Sequence, residues 1–202
     1  MKRTGSAAAI GVLLLLSALP ARAQLLDAVA LDTVRTYRSM ERALKDPDKV
    51  YRLDLSGAKL KELPVEIYTL KNLNALDISG NKLKELPERL GEFVHLQELR
   101  ASRNKLEQLP AGLCKLVHLK RIDVSRNALT GLPGCIGALT EMVSMDLWDN
   151  DLAEFPEEMA DMLALRFMDL RAIQFEEPEM EHIQMLVPKA KVYFSQPCNC
   201  GM

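Results

Sequence analysis

Three histidines, four cysteines and a single tryptophan are the residues with the most distinctive chemistry in this 202-residue chain. His95 and His118 stand at positions i and i+23, and His182 lies well beyond both. Two imidazoles could share a metal ion if a third ligand recurred with them; none does, so the pair reads as a solvated one. Cys114 and Cys135 stand at i and i+21, and Cys198-Asn199-Cys200 forms a C-x-C near the C-terminus. In an oxidising compartment either pair can form a disulfide, while two thiolates are too few for a closed tetrahedral zinc site. No Gly-rich phosphate loop, G-x-S-x-G or H-E-x-x-H is present, so neither an enzyme nor a bound metal or cofactor is expected.

The histidine spacing is also the period of most of the chain. Leu53, Leu76, Leu99, Ile122, Met145 and Met168 recur at every twenty-third position, and Leu55, Ile78, Ala101, Val124, Leu147 and Leu170 follow two places behind. Asn81, Asn104, Asn127 and Asn150 recur at the same interval, and prolines 64, 87, 110, 133 and 156 close five of the segments. Alternation such as Leu76-x-Ile78 puts both apolar side chains on one face of a short strand and turns Asp77 to the other. The asparagine follows where the chain leaves the strand. Its amide can donate to and accept from backbone groups of neighbouring turns that would otherwise be buried unpaired. After the proline, apolar residues at every third position (Leu90, Phe93, Leu96) suit a helical or 3₁₀ return. One such unit cannot bury its own apolar edge, whereas stacked units bury it for one another.

Residues 73–87 fit L-x-x-L-x-L-x-x-N-x-L-x-x-L-P throughout. On these motifs the chain resembles leucine-rich repeat proteins of the 23-residue Leu-Pro type found among secreted bacterial proteins. The resemblance covers residues 50–178 and implies a right-handed α/β-repeat solenoid, with short parallel strands on a concave face and helical or 3₁₀ returns. It also implies a protein-interaction scaffold. Six strands at about 4.8 Å spacing would make a sheet roughly 25 Å wide, enough to receive a protein surface or peptide.

The outward strand positions can now be compared column by column. One reads Asp54, Asp77, Arg100, Asp123, Asp146, Asp169; the next reads Ser56, Ser79, Ser102, Ser125, Trp148, Arg171; the third reads Gly57, Gly80, Arg103, Arg126, Asp149, Ala172. Aspartate and serine there suit a hydrated sheet face. Trp148 departs from that default, and Phe167 is expected to face outward on the following strand. With Arg103, Arg126, Arg166 and Arg171 they form the candidate partner-binding set, because Trp and Arg are enriched where interfaces concentrate their energy.

The flanks are expected to differ from the array. Lys2 and Arg3, the apolar run Ala7–Leu19 and Ala21-Arg22-Ala23 form a secretory signal over residues 1–23, too short to span a bilayer. Its removal would take the basic count from 26 to 23 against 28 acidic residues, a formal net charge of −5. That balance argues against a general nucleic-acid binder. Within residues 24–49, Leu31, Val34, Tyr37, Met40 and Leu44 predict one capping helix over 31–45, with Asp32 as its N-cap and Asp46-Pro47 as its stop. Residues 179–202 are expected to form a C-terminal cap, with a short helix before Pro188 and a final strand at 191–195, followed by the C-x-C tail. Ala58, Ile173 and an early Pro178 break the repeat pattern in the outer turns.

Together these readings predict a monomeric, extracytoplasmic, non-catalytic scaffold for a protein or peptide ligand. The alternative is an envelope assembly protein that associates through its edges or terminal cysteines. Lysines early in the array (Lys59, Lys61, Lys82, Lys84, Lys105) and acids later (Asp151, Glu154, Glu157, Glu158, Asp161) form a charge gradient that could orient either kind of contact.

Overall fold

A computed structural model describes residues 25–195; the expected signal segment and the Cys198/Cys200 pair lie outside the described residues. Eight parallel strands form one sheet in sequence order: β1 (Thr36–Tyr37), β2 (Arg52–Asp54), β3 (Ala75–Asp77), β4 (Glu98–Arg100), β5 (Arg121–Asp123), β6 (Ser144–Asp146), β7 (Phe167–Leu170) and β8 (Lys191–Phe194). From β2 to β7 the register places Leu53, Leu76, Leu99, Ile122, Met145 and Met168 in one row. The period read from the sequence is therefore the pairing register itself.

Two strands flank the six of the array: β8, where a final strand was expected, and β1, where a helix was expected. Extended residues at 36–37 and 191–194 pair with the outer edges of β2 and β7. They satisfy rows of backbone N–H and C=O groups that an open array would leave unpaired. The sheet accordingly spans roughly 34 Å rather than roughly 25 Å, at about 4.8 Å per strand.

Returns run through 3₁₀ segments at Val65–Thr69, Glu88–Glu92, Ala111–Lys115, Ile136–Ala138 and Glu157–Asp161. Pro64, Pro87, Pro110 and Pro156 each stand at the N-cap of such a segment. Proline suits the place because its fixed φ and missing N–H cost nothing where no donor is needed. Between sheet and returns a continuous core runs the length of the array, and Leu53, Leu76, Leu99, Leu90, Phe93 and Leu96 are fully buried in it. Truncating any of these leucines to alanine should cost about 2–5 kcal/mol.

The asparagines join adjacent turns as their chemistry required. Asn104 Nδ2 donates to the carbonyls of Ile78 and Ala101, both at 3.0 Å, and its Oδ1 accepts from the Leu83 N–H at 3.1 Å. Asn81, Asn127 and Asn150 repeat the arrangement.

The N-terminal region corrects one expectation. No single helix spans 31–45. Instead α1 (Ala28–Thr33) and α2 (Met40–Ala43) flank β1. The N-caps are Asp27 and Ser39, not Asp32, and each side chain accepts a hydrogen bond from the first turn of its helix. The apolar spacing was genuine, but Val34, Thr36 and Tyr37 are β-branched or aromatic and favour extended backbone. The unpaired edge of β2 supplies the hydrogen bonds that decide the outcome. At the other end α3 (Glu177–Leu186) precedes β8. Ile183, Leu186, Val187 and Ala190 are buried in the core, and Phe175 makes edge contacts with Phe155 and Phe194.

Candidate functional site

Five strands, β2, β3, β5, β6 and β7, leave the sheet by the same local device, and this device sets what the outward face presents. The Oδ1 of Asp54, Asp77, Asp123, Asp146 and Asp169 accepts the N–H two residues on, at 2.9–3.2 Å. Such Asx turns explain the aspartate column as structure, because the side chain completes the bend. Three residues after each aspartate position the backbone enters the left-handed region. Gly57 and Gly80 supply it at φ 66° in the first two turns. In later turns Arg103 and Arg126 (φ 55°), Asp149 (φ 57°) and Ala172 (φ 64°) occupy it. Side chains other than glycine are rare there and carry a backbone cost of about 1 kcal/mol.

Against this background Trp148 lies half-buried with the Arg126 guanidinium 4.3 Å from its ring centroid. Both line a shallow groove of about 500 Å³ that also includes Arg100, Arg103, Ser102, Asp123 and Asp146. Burial raises the Asp146 carboxyl above its ordinary pKa, helped by the negative neighbours Asp123 and Asp169. Burial would also raise Asp169, but hydrogen bonds from Arg171 outweigh it and hold that carboxyl low.

The six residues singled out in the sequence do not form one patch. Arg103, Arg126 and Trp148 share the groove. Arg171 is folded onto Asp169, with Nη2 2.6 Å from Oδ2. Arg166 turns back to the carbonyls of Leu163 (3.0 Å) and Leu165 (2.9 Å). Phe167 is 49% exposed and pairs in register with Ser144, four positions before Trp148 along that strand. The two rings are thus separated by roughly 13 Å of strand.

Two arrangements at the other side of the face were not singled out. Leu26 bridges the residues that lead into β3 and β4, with both backbone groups captured: its N–H donates to Asn74 Oδ1 at 2.9 Å, and its carbonyl accepts from Gln97 Nε2 at 2.6 Å. Asn74 and Gln97 are buried beneath it and bonded to each other at 2.8 Å. Beside them the buried carboxylate of Glu98 receives Arg121 from the next strand, and Arg52 reaches it across Ala75 at 3.5 Å. Arg52 also donates to the Leu31 carbonyl at 3.1 Å. A buried carboxylate flanked by two arginines was not singled out from the sequence, since burial depends on the segment folded over it. Arg100 was visible, as the one break in the aspartate column.

Residues 48–106 match the sequence profile of the Leucine rich repeat family. A leucine-rich repeat protein of Leptospira interrogans is 30% identical, with a TM-score of 0.63 over 79% of this chain and 46% of that one. The chain is a leucine-rich repeat protein. Its solenoid is also similar to the leucine-rich repeat ectodomain of a plant membrane receptor kinase from Arabidopsis thaliana, solved in complex with Casparian strip integrity factor 2 (28% identity, TM-score 0.59, covering 74% of this chain and 19% of that one). Internalin C2 of Listeria monocytogenes shares the fold at 20% identity and a TM-score of 0.59, over 73% of this chain and 62% of that one. This chain therefore spans less than half of the first two structures. No curated protein matches it.

The other reactive side chains take structural places in the leucine-rich repeat. His118 Nδ1 lies 2.9 Å from Glu141 Oε1. Burial lowers the His95 pKa, with a smaller electrostatic contribution from the neighbouring His118. Among the described residues no group of three His, Cys, Asp or Glu side chains could hold a metal ion. Cys114 and Cys135 form a disulfide between successive returns, with Cα atoms 5.9 Å apart. Among the described residues no helix is long and apolar enough to cross a membrane.

Proposed function

We propose that this leucine-rich repeat protein is a non-catalytic, extracytoplasmic scaffold that binds a protein or peptide segment across its strand face. The observation that carries the reading is the capture of Leu26. Side-chain amides from two adjacent turns hold the N–H and the carbonyl of one residue of a chain segment laid on the face. A peptide from another molecule would offer the same groups. The intramolecular segment covers the side of the face near Asn74 and Gln97 and leaves the Arg100–Trp148 groove open. The likeness to a plant ectodomain solved with its ligand supports the same use of the fold. An exported setting is supported by the signal-like stretch that opens the sequence and by the Cys114–Cys135 disulfide, since such bonds persist in oxidising compartments.

The test is crosslinking of the protein in its native cells, followed by identification of what is attached. A defined partner whose capture is lost in Trp148→Ala, with thermal unfolding little changed, supports the scaffold. Recovery of only self-crosslinked copies would replace it with the assembly role.

A further inference from the structure

We infer that the open part of the strand face is built for an acidic peptide segment, with Arg100, Arg103 and Arg126 as its carboxylate-binding groups and Trp148 as its apolar stop. This rests on the strand-face reading above and names the chemistry of the partner.

Five positions break a structural rule of the repeat, and the three that line the open groove, 100, 103 and 126, all do so with arginine; the other two are Asp149 and Ala172. At position 100 the turn-forming aspartate of the other five turns is replaced, so the Ser102 N–H loses the acceptor its counterparts have. At positions 103 and 126 arginine holds the left-handed backbone that glycine supplies in the first two turns. Each substitution works against the local fold, and all three side chains are exposed in the one groove. Residues that oppose folding are expected where binding selects them.

Their electrostatic state sets them apart from the other arginines of the face. Arg38 pairs with Asp54, Arg52 and Arg121 with Glu98, and Arg171 with Asp169, while Arg166, which has no carboxylate partner among the described residues, spends its guanidinium on the carbonyls of Leu163 and Leu165. Among the described residues Arg100, Arg103 and Arg126 make no ion pair with a carboxylate, although Asp77 and Asp123 flank Arg100 in register. Those aspartates spend an oxygen on their own turns. Three unpaired guanidinium groups on adjacent strands, with forks matched to carboxylates, form a receptor for acidic side chains. Asp77, Asp123 and Asp146 line the same groove. They would repel a uniformly anionic polymer, but would accept backbone N–H groups from a peptide whose acids are spaced along it.

The experiment uses the protein with its Cys114–Cys135 disulfide intact and two fluorescein-labelled octapeptides, one alternating glutamate and glycine, the other lysine and glycine. Fluorescence anisotropy should show binding of the glutamate peptide at least tenfold tighter than of the lysine peptide, weakening as salt rises. The variant Arg100→Asn/Arg103→Gly/Arg126→Gly removes the three charges while returning a turn former and two glycines, so it should fold and lose that preference. Arg103→Gly alone should lose part of it and serves as a second folded variant. Equal binding of the two peptides, an unchanged affinity in the triple variant, or tighter binding of heparin than of the glutamate peptide would overturn the assignment. If the triple variant still binds a crosslinked native partner that Trp148→Ala loses, the acidic assignment fails while the scaffold reading stands.

Discussion

The guanidinium carbon of Arg126 sits 4.3 Å from the centre of the Trp148 ring, one strand away on the same face. A cation over an aromatic face at this distance is worth about 0.5–1 kcal/mol when exposed. The contact also holds the ring in place at the end of the groove while its outer side stays open. In a double-mutant cycle with Arg126→Ala and Trp148→Ala, urea unfolding should give a coupling energy of about 0.5–1 kcal/mol. Alanine keeps the left-handed backbone cost at position 126 unchanged, so the cycle reads the contact alone. Additive single effects would show that the two side chains meet without interacting.

The disulfide ties the third and fourth returns through cysteines at a sequence separation of 21. Closing a loop of that length removes unfolded-chain entropy equivalent to about 3 kcal/mol. Reduction should therefore lower the urea midpoint by that stability without changing the asparagine ladder or the strand register. Comparison of the oxidised protein with Cys114→Ala/Cys135→Ala measures it. An unchanged midpoint would show that neighbouring turns already hold the returns together.

Much of this fold was legible because a solenoid repeats one local decision. The periodic rows of Leu76 and Asn104 led directly to strand register and turn stacking, since each residue's neighbours are its own equivalents. Of the two flanking strands, the one at 191–194 was expected from the sequence and β1 was not. Thr36 and Tyr37 carry helical spacing in the sequence, and only the bare edge of β2 tips them into pairing. In the site, Trp148 and its arginine neighbours stood out as breaks in columns. Which arginines are free was not legible, because that depends on whether a carboxylate such as Asp169 or Glu98 happens to reach them. Leu26 could not be placed at all, as nothing periodic links it to Gln97, far along the chain.

Two glycines on the array make opposite demands. A Cβ on Gly112 would collide with the Glu88 carbonyl oxygen, so two returns would have to separate. At Gly57 there is open space, and only the φ of +66° opposes a side chain. Gly112→Ala should therefore cost about 3 kcal/mol or more through overpacking, against about 1 kcal/mol for Gly57→Ala through backbone strain alone. Parallel urea titrations decide it. Equal losses would mean the returns can shift apart freely.

Neighbouring aspartates of one column should respond oppositely to neutralisation. Asp146 is raised from 3.8 by burial and by Asp123 and Asp169, so near neutral pH its charge opposes folding. Between 3.8 and its raised folded value the native state holds a proton the unfolded chain has lost, so acidification stabilises the fold through this group. Asp169 is held below 3.8 despite burial, because the Arg171 hydrogen bonds win. Its contribution is present above 3.8 and fades as pH falls through the folded value. Asp146→Asn keeps an oxygen for the Trp148 N–H and should raise the urea midpoint near neutral pH, whereas Asp169→Asn should lower it. The gain from Asp146→Asn should shrink as pH falls from the raised folded value towards 3.8, and the loss from Asp169→Asn should shrink as pH falls below 3.8 through the lowered folded value. If both variants shift the midpoint in the same direction at neutral pH, the column is governed by turn geometry rather than by charge.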